Sequence, residues 1–178
     1  MEDDDRGGGV RLAEIVAAFS LATDLGLGLP LEHLMRSWLI SARLVDRLDL
    51  EPEAREFLYY VVTLAWAGCV ADTPEVAAWF GDDITFRRDS FGVDRAGLSM
   101  LAFSLRHVGV GGSALHRLRL AAALLATGGA GIQRGLMSHC LTTASMAERL
   151  GLGSDVCEPL QQVFTRWDGK GVPAGIGG

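Results

Sequence analysis

The chain has 178 residues, 49% of them hydrophobic, and a net charge of −6, half of it carried by residues 2–6. That is enough apolar chain for one core of ordinary size, while the acidic balance gives no electrostatic footprint for nucleic acid. No run reaches the roughly 18 apolar residues of a spanning helix, and the acidic, glycine-rich N-terminus is unlike a secretory leader, so a cytoplasmic protein without membrane contact is expected.

Residues 1–9 are polar and glycine-rich and are expected to be a disordered acidic tail. Helical periodicity begins at residue 10 or 11. Leu12, Ile15, Val16, Phe19, Ala22 and Leu25 share one face of a helix over 11–25, which the Gly26-to-Pro30 stretch stops. A second helix is expected over 31–48, with Leu34, Trp38, Ala42, Val45 and Leu48 on one face. Pro52 opens a third, running to about Gly68, and its nearly unbroken apolar middle marks a central helix. Thr73-Pro74-Glu75 reads as cap and first turn of a short helix to Phe80. Residues 81–94 read as a polar loop with a short helix. Further helices are expected over 95–108, 114–126, 132–150 and 155–166, with glycine-rich breaks at 109–112 and 128–131 and Ser154 as the last cap. No alternating strand pattern is found, so the fold class is all-α: about eight helices in a single domain over 10–178.

Residues 37–50 and 138–152 echo each other, both starting polar and ending in Arg-Leu-x-Leu. Such a likeness fits either an internal repeat or two independent amphipathic helices. Cys69, Cys140 and Cys157 match no zinc spacing and read as reduced thiols, the first two in apolar context.

The most distinctive stretch is Thr165-Arg166-Trp167-Asp168-Gly169-Lys170-Gly171-Val172-Pro173, which contains the chain's only lysine. It resembles the signature of HD-GYP phosphodiesterases, roughly His-His-Glu-Arg-Trp-Asp-Gly-x-Gly-Tyr-Pro. That resemblance implies an HD-superfamily-like helical bundle whose His and Asp side chains hold one to three metal ions, which generate a hydroxide and clamp the phosphate oxygens. On this match Val163 and Phe164 replace the paired histidines. The string Leu64-Ala65-Trp66-Ala67-Gly68-Cys69 stands where the family has Leu-His-Asp-x-Gly-Lys, so Ala65 and Trp66 replace the His-Asp doublet. His33, followed by Met35-Arg36, and His139 match the two remaining histidines.

A methyl and an indole cannot bind a hard cation. The resemblance therefore implies vestigial ligands at His33 and His139, no metal, no cofactor and no catalytic residue. Unpaired buried polar ligands would cost several kcal/mol each, so apolar replacements are expected to fill the former cavity with packing. The residues expected around it are His33, Ala65, Trp66, His139, Arg166, Trp167, Asp168 and Lys170. Either the Trp167–Pro173 loop caps a helix through its glycines or Lys170 contacts an anion. Asp82 and Asp83 resemble a ligand pair but read as solvated helix-end acids.

The strings Leu21-Ala-Thr-Asp-Leu-Gly-Leu-Gly28, Tyr59-Tyr60, Gly68-Cys69, Ala71-Asp72, Phe80-Gly81-Asp82-Asp83 and Val163–Pro173 resemble the N-terminal HD-like region of actinobacterial LuxR-type transcriptional regulators. In that group a C-terminal helix-turn-helix follows, and the chain reads as stopping short of it. The resemblance implies a catalytically inactive sensory or interaction module, with an unknown small ligand or protein partner, a homodimer as one expected assembly, and DNA contacted only through a domain outside this chain. The alternatives are a metal-dependent phosphohydrolase or cyclic-dinucleotide phosphodiesterase with ligands at His33, His139, Asp82 and Asp83, and a nucleotide-binding pseudoenzyme with a pocket near Arg166 and Lys170.

Overall fold

A computed structural model describes residues 10–93, 97–127 and 130–177; the expected acidic tail, the start expected at Arg95 and part of the 128–131 break lie outside them. The helical periodicity is realised almost throughout. In chain order the described residues form α1 (Leu12–Gly26), α2 (His33–Arg47), α3 (Pro52–Leu64), α4 (Cys69–Phe80), α5 (Asp83–Ser90), α6 (Gly97–His107), α7 (Ala114–Thr127), α8 (Ala130–Arg149) and α9 (Ser154–Leu160). The molecule is all-helical and forms one domain, as its periodicity predicts. An isolated antiparallel bridge between Phe164 and Val172 is the extended pairing among the described residues.

The main core joins α1, α3, α8 and α9. Val16, Tyr60, Leu64, Ala144, Ala147, Val156 and Leu160 meet there with Ala65 and Ala67 from the turn after α3. Burial of these side chains is the chief stabilising term, at about 25 cal/mol per Å2 of apolar surface removed from water. A second cluster, Phe80, Phe86 and Phe103, ties α4, α5 and α6 together, with the Phe80 and Phe86 rings stacked at 3.7 Å.

Several helix ends follow local rules. Pro52 occupies the first turn of α3, where a missing N–H is tolerated. The N-cap of α2, Glu32, has a left-handed φ of 69° and makes no side-chain cap. Instead the buried Asp24 of α1 accepts from the Leu34 N–H at 3.2 Å, placing a carboxylate at the positive end of α2. The echo between residues 37–50 and 138–152 has a structural basis at its ends. Asp49 and Gly151 both take positive φ, and the Leu50 and Leu152 N–H groups donate back to the Val45 and Ala147 carbonyls at 3.2 and 3.1 Å. Each Arg-Leu-x-Leu is thus the same left-handed helix stop, in which the N–H beyond the left-handed residue satisfies a last-turn carbonyl.

Three expectations are corrected. First, α3 ends at Leu64, and α4 starts at Cys69, a full turn before the expected cap. Thr73 is inside that helix, its hydroxyl donating to the Cys69 carbonyl at 2.8 Å, and Pro74 is also internal. Packing of α4 along α8 supports the extra turn that local propensity alone would not begin. Second, Gly131 belongs to α8, where it faces the Trp79 indole; a β-carbon there would come within 3.2 Å of Nε1. Third, the last helix stops at Leu160 with Gly153 as its cap residue. The Val172 N–H donates to the Phe164 carbonyl at 2.9 Å, so residues 164–172 double back. Gly171 has no room for a side chain against the Phe164–Arg166 backbone.

The close approach of α4 to α8 rests on Gly68. A β-carbon there would collide with the His139 carbonyl oxygen and lie 2.5 Å from Thr143 Oγ1. Because the obstacle is helix backbone, Gly68→Ala is expected to cost about 1–3 kcal/mol or more by overpacking, measured as a lowered midpoint in chemical denaturation. Gly26→Ala, with open space around it, is expected to change stability by less than about 0.5 kcal/mol.

Candidate functional site

The inner wall of the site is built where the turn after α3 meets α8. His139 is fully buried, and its Nε2 donates to the Ala65 carbonyl at 2.7 Å. A carbonyl can only accept, so this bond puts the ring proton on Nε2 and leaves a lone pair on Nδ1. Nδ1 has no hydrogen-bond partner among the described residues; its neighbour is Asp72 Oδ2 at 3.8 Å. Burial pushes the imidazole below its ordinary value and Arg87 adds to that effect, overcoming the Ala65 carbonyl and the Asp72 carboxylate, which act the other way. The ring is therefore neutral near neutral pH.

Asp72 and Arg87 form a buried ion pair at 2.7 Å. Arg87 also reaches the Cys69 carbonyl at 3.3 Å and Asp83 at 3.6 Å. Burial alone would lower the guanidinium's pKa, but the Cys69 sulfur, the hydrogen bond to Asp72 and the charges of Asp72 and Asp83 outweigh it and hold it above its ordinary value. Cys69 and Asp72, three apart on α4, lie on one helix face. With His139 their ligand atoms fall within 4.8 Å of one another.

Aromatic rings surround this polar group. Trp66 lies 5.3 Å from Phe91, 5.8 Å from Phe164 and 6.0 Å from His139, and Phe164 lies 5.0 Å from His139. Beyond them opens a cavity of about 770 Å3, reached by Trp66, Asp72, Arg87, His139, Arg166 and Lys170. This corrects the expectation that apolar replacements fill the former site. Trp66, Val163 and Phe164 line a space of ligand-binding size, because edge-on rings leave gaps that a close-packed aliphatic core would close.

The expected pocket residues are thus partly brought together. Trp66, His139, Arg166 and Lys170 line the cavity, and Ala65 supports it through its carbonyl. His33 does not line the cavity, contrary to expectation; it reaches the aromatic cluster only through Phe91, 5.9 Å away. Trp167 is 84% exposed and does not line the cavity, a correction to its expected place. Asp168 binds Arg166 through both oxygens at 2.9 and 2.8 Å and is held well below the usual carboxylate range by that guanidinium. The loop stiffens itself through this pair, and Gly169, with φ of 70°, supplies its left-handed turn. It caps no helix, since α9 ends earlier.

Asp82 is the helix-end acid it was expected to be, capping α5 through the Thr85 N–H at 2.9 Å. The grouping His33, His139, Asp82 and Asp83 is not formed; among the described residues the trio able to surround an ion is Cys69, Asp72 and His139. Arg87 and Phe91 escaped sequence reasoning, and Asp72 entered it only within a string that carried the resemblance. Starting α4 at Thr73 broke the i, i+3 relation of Cys69 and Asp72, and an arginine in a polar loop carries no sign that it will be buried.

The metal arrangement implied by the resemblance does not fit these residues. Ala65 and Trp66 occupy the doublet position and Val163 and Phe164 the paired-histidine position, and none offers a donor to a hard cation.

The chain is similar to the 3'3'-cGAMP-specific phosphodiesterase 3 of Vibrio cholerae, with 26% identity over 164 residues, 91% of this chain and 35% of the relative. The chain therefore spans about a third of the curated relative's length. No family model matches it, and no solved structure does. The similarity supports an HD-GYP-like domain. Among the described residues no helix is long and apolar enough to cross a membrane.

Breaking the Asp72–Arg87 pair leaves a buried charge without compensation. Arg87→Met is expected to destabilise the protein by about 3–5 kcal/mol, and adding Asp72→Leu to restore most of that loss. Denaturation of the single and double variants measures both values.

Proposed function

We propose that this chain is a catalytically inactive HD-GYP-like module that binds a small ligand in the cavity beside His139 and passes that state to a transcriptional regulator. The single observation that carries this reading is a retained cavity of about 770 Å3 beside a ligand ring rebuilt in carbon at Ala65, Trp66, Val163 and Phe164. Flat aromatic walls at Trp66, Phe91 and Phe164 suit a planar group such as a nucleobase, and Lys170 suits an anion, the charge of Arg166 being paired with Asp168. The named substrate of the similar Vibrio protein makes cyclic dinucleotides the first ligands to examine.

In this reading the chain works in the cytoplasm, and DNA is contacted by a helix-turn-helix outside this domain, in keeping with a net charge of −6. The module also self-associates. Ile40 and Leu44 on α2 and Leu48 at its C-cap form an i, i+4, i+8 stripe, each more than half exposed, and such a row suits a second copy of the chain. Light scattering is expected to show a dimer that Ile40→Glu with Leu44→Glu converts to a monomer; a monomeric parent would refute the self-association.

The catalytic reading is tested directly by incubating the purified chain with 3'3'-cGAMP and added iron, manganese or zinc. No turnover is expected, because the residues cannot assemble the bridging carboxylate. Cyclic dinucleotide is expected to raise the melting temperature, since a ligand selective for the folded state stabilises it by mass action, with a smaller rise in Lys170→Ala. Turnover would overturn the inactive assignment, and no shift at saturating nucleotide would remove this ligand class.

A further inference from the structure

We propose that Cys69, Asp72 and His139 form a binding site for one zinc-class cation at the inner end of the cavity, with a donor set different from the one the HD-GYP resemblance implies. The inference goes beyond the inactive-module reading and does not depend on it.

The first observation is the trio itself: a thiol, a carboxylate and an imidazole whose ligand atoms lie within 4.8 Å of one another on two packed helices. The second is His139. Its ring is 0% exposed, its Nε2 proton is committed to Ala65, and its Nδ1 lone pair, without a hydrogen-bond donor, faces Asp72 Oδ2 at 3.8 Å. An unsatisfied buried acceptor costs about 1–3 kcal/mol, a cost that a coordinated cation removes.

The nitrogen–oxygen pair is spaced close to what a small tetrahedral ion requires, and the sulfur lies within 4.8 Å of both. Nitrogen and oxygen donors about 2.0–2.1 Å from such an ion stand roughly 3.3–3.4 Å apart. The observed 3.8 Å needs only a side-chain adjustment of a few tenths of an ångström. The mixed sulfur, nitrogen and oxygen set selects zinc over magnesium or calcium, which prefer oxygen alone.

The surroundings resemble those of working metal sites. The His139 Nε2–H is held by a carbonyl and the other Asp72 oxygen by Arg87, the kind of outer contact that orients ligands. On binding, the Cys69 S–H bond breaks, the sulfur keeps the electron pair and bonds the metal, and the proton leaves to solvent. Thiolate, carboxylate, guanidinium and a divalent cation then sum to one positive charge. All three ligands line the cavity, so the fourth coordination position faces it and an oxyanion of the occupant can complete the shell.

The test uses the full chain, purified without chelator, titrated with zinc against a chromophoric competitor and separately with cobalt(II). We expect about one equivalent of zinc per chain, a higher melting temperature with zinc, and a thiolate-to-cobalt absorption band. Cys69→Ser is expected to abolish the band and weaken zinc binding at least about tenfold, while Cys157→Ser leaves both unchanged. Circular dichroism of Cys69→Ser reports folding, and Cys69→Ala replaces it if it misfolds. Absence of stoichiometric metal, or a band that survives loss of Cys69, overturns the site. Zinc binding without 3'3'-cGAMP turnover supports both the site and the inactive reading; zinc binding with turnover supports the site and overturns that reading.

Discussion

The hydrogen bond from His139 Nε2 to the Ala65 carbonyl, 74 residues away in sequence, is the constraint on which the site depends. It joins the turn between α3 and α4 to the middle of α8, inside the protein, where an unmade hydrogen bond is costly. Gly68 lets the two backbones come that close. Once the turn is seated, Trp66 is directed into the cavity, and Cys69 and Asp72 emerge one turn later on the side facing His139. The same bond decides the His139 tautomer and so what its other nitrogen can do.

Around this contact the molecule divides its labour. The α1, α3, α8 and α9 core supplies ordinary apolar stability, and the phenylalanine cluster of α4, α5 and α6 holds the far wall. Between them lies a region that is neither a filled core nor a hard-metal centre: aromatic edges, one buried ion pair and one buried imidazole. Such a region is expensive to maintain, because desolvated charge stabilises little by itself. Its presence beside an open cavity is what gives the ligand-binding proposal its physical basis.

Much was legible from residue order. The 3.6-residue periodicity, Pro52 at a helix start and the glycine and proline stops give nearly every helix within a few residues. The Trp167–Pro173 signature directs attention to this cavity, and of the expected residues Trp66, His139, Arg166 and Lys170 line it. The errors fell where local signals competed with packing. Thr73-Pro74 looks like a cap in isolation, yet α8 extends the helix past it toward Cys69. Gly131 looks like a break, yet Trp79 uses the missing side chain.

By itself the sequence determined the helical class and the absence of hard-metal donors at Ala65, Trp66, Val163 and Phe164, because these depend on residue type and short-range spacing; which face of α1 is buried it did not, since Ile15 and Leu25 of the expected face are exposed. Only the tertiary structure decided that the replacements border a cavity, that Arg87 is buried against Asp72, and that Cys69, Asp72 and His139 converge. Those outcomes arise from contacts between segments far apart in the chain, as between Trp66 and Phe164 or Ala65 and His139, where the approach of the backbones, not the preference of any residue, sets which groups meet.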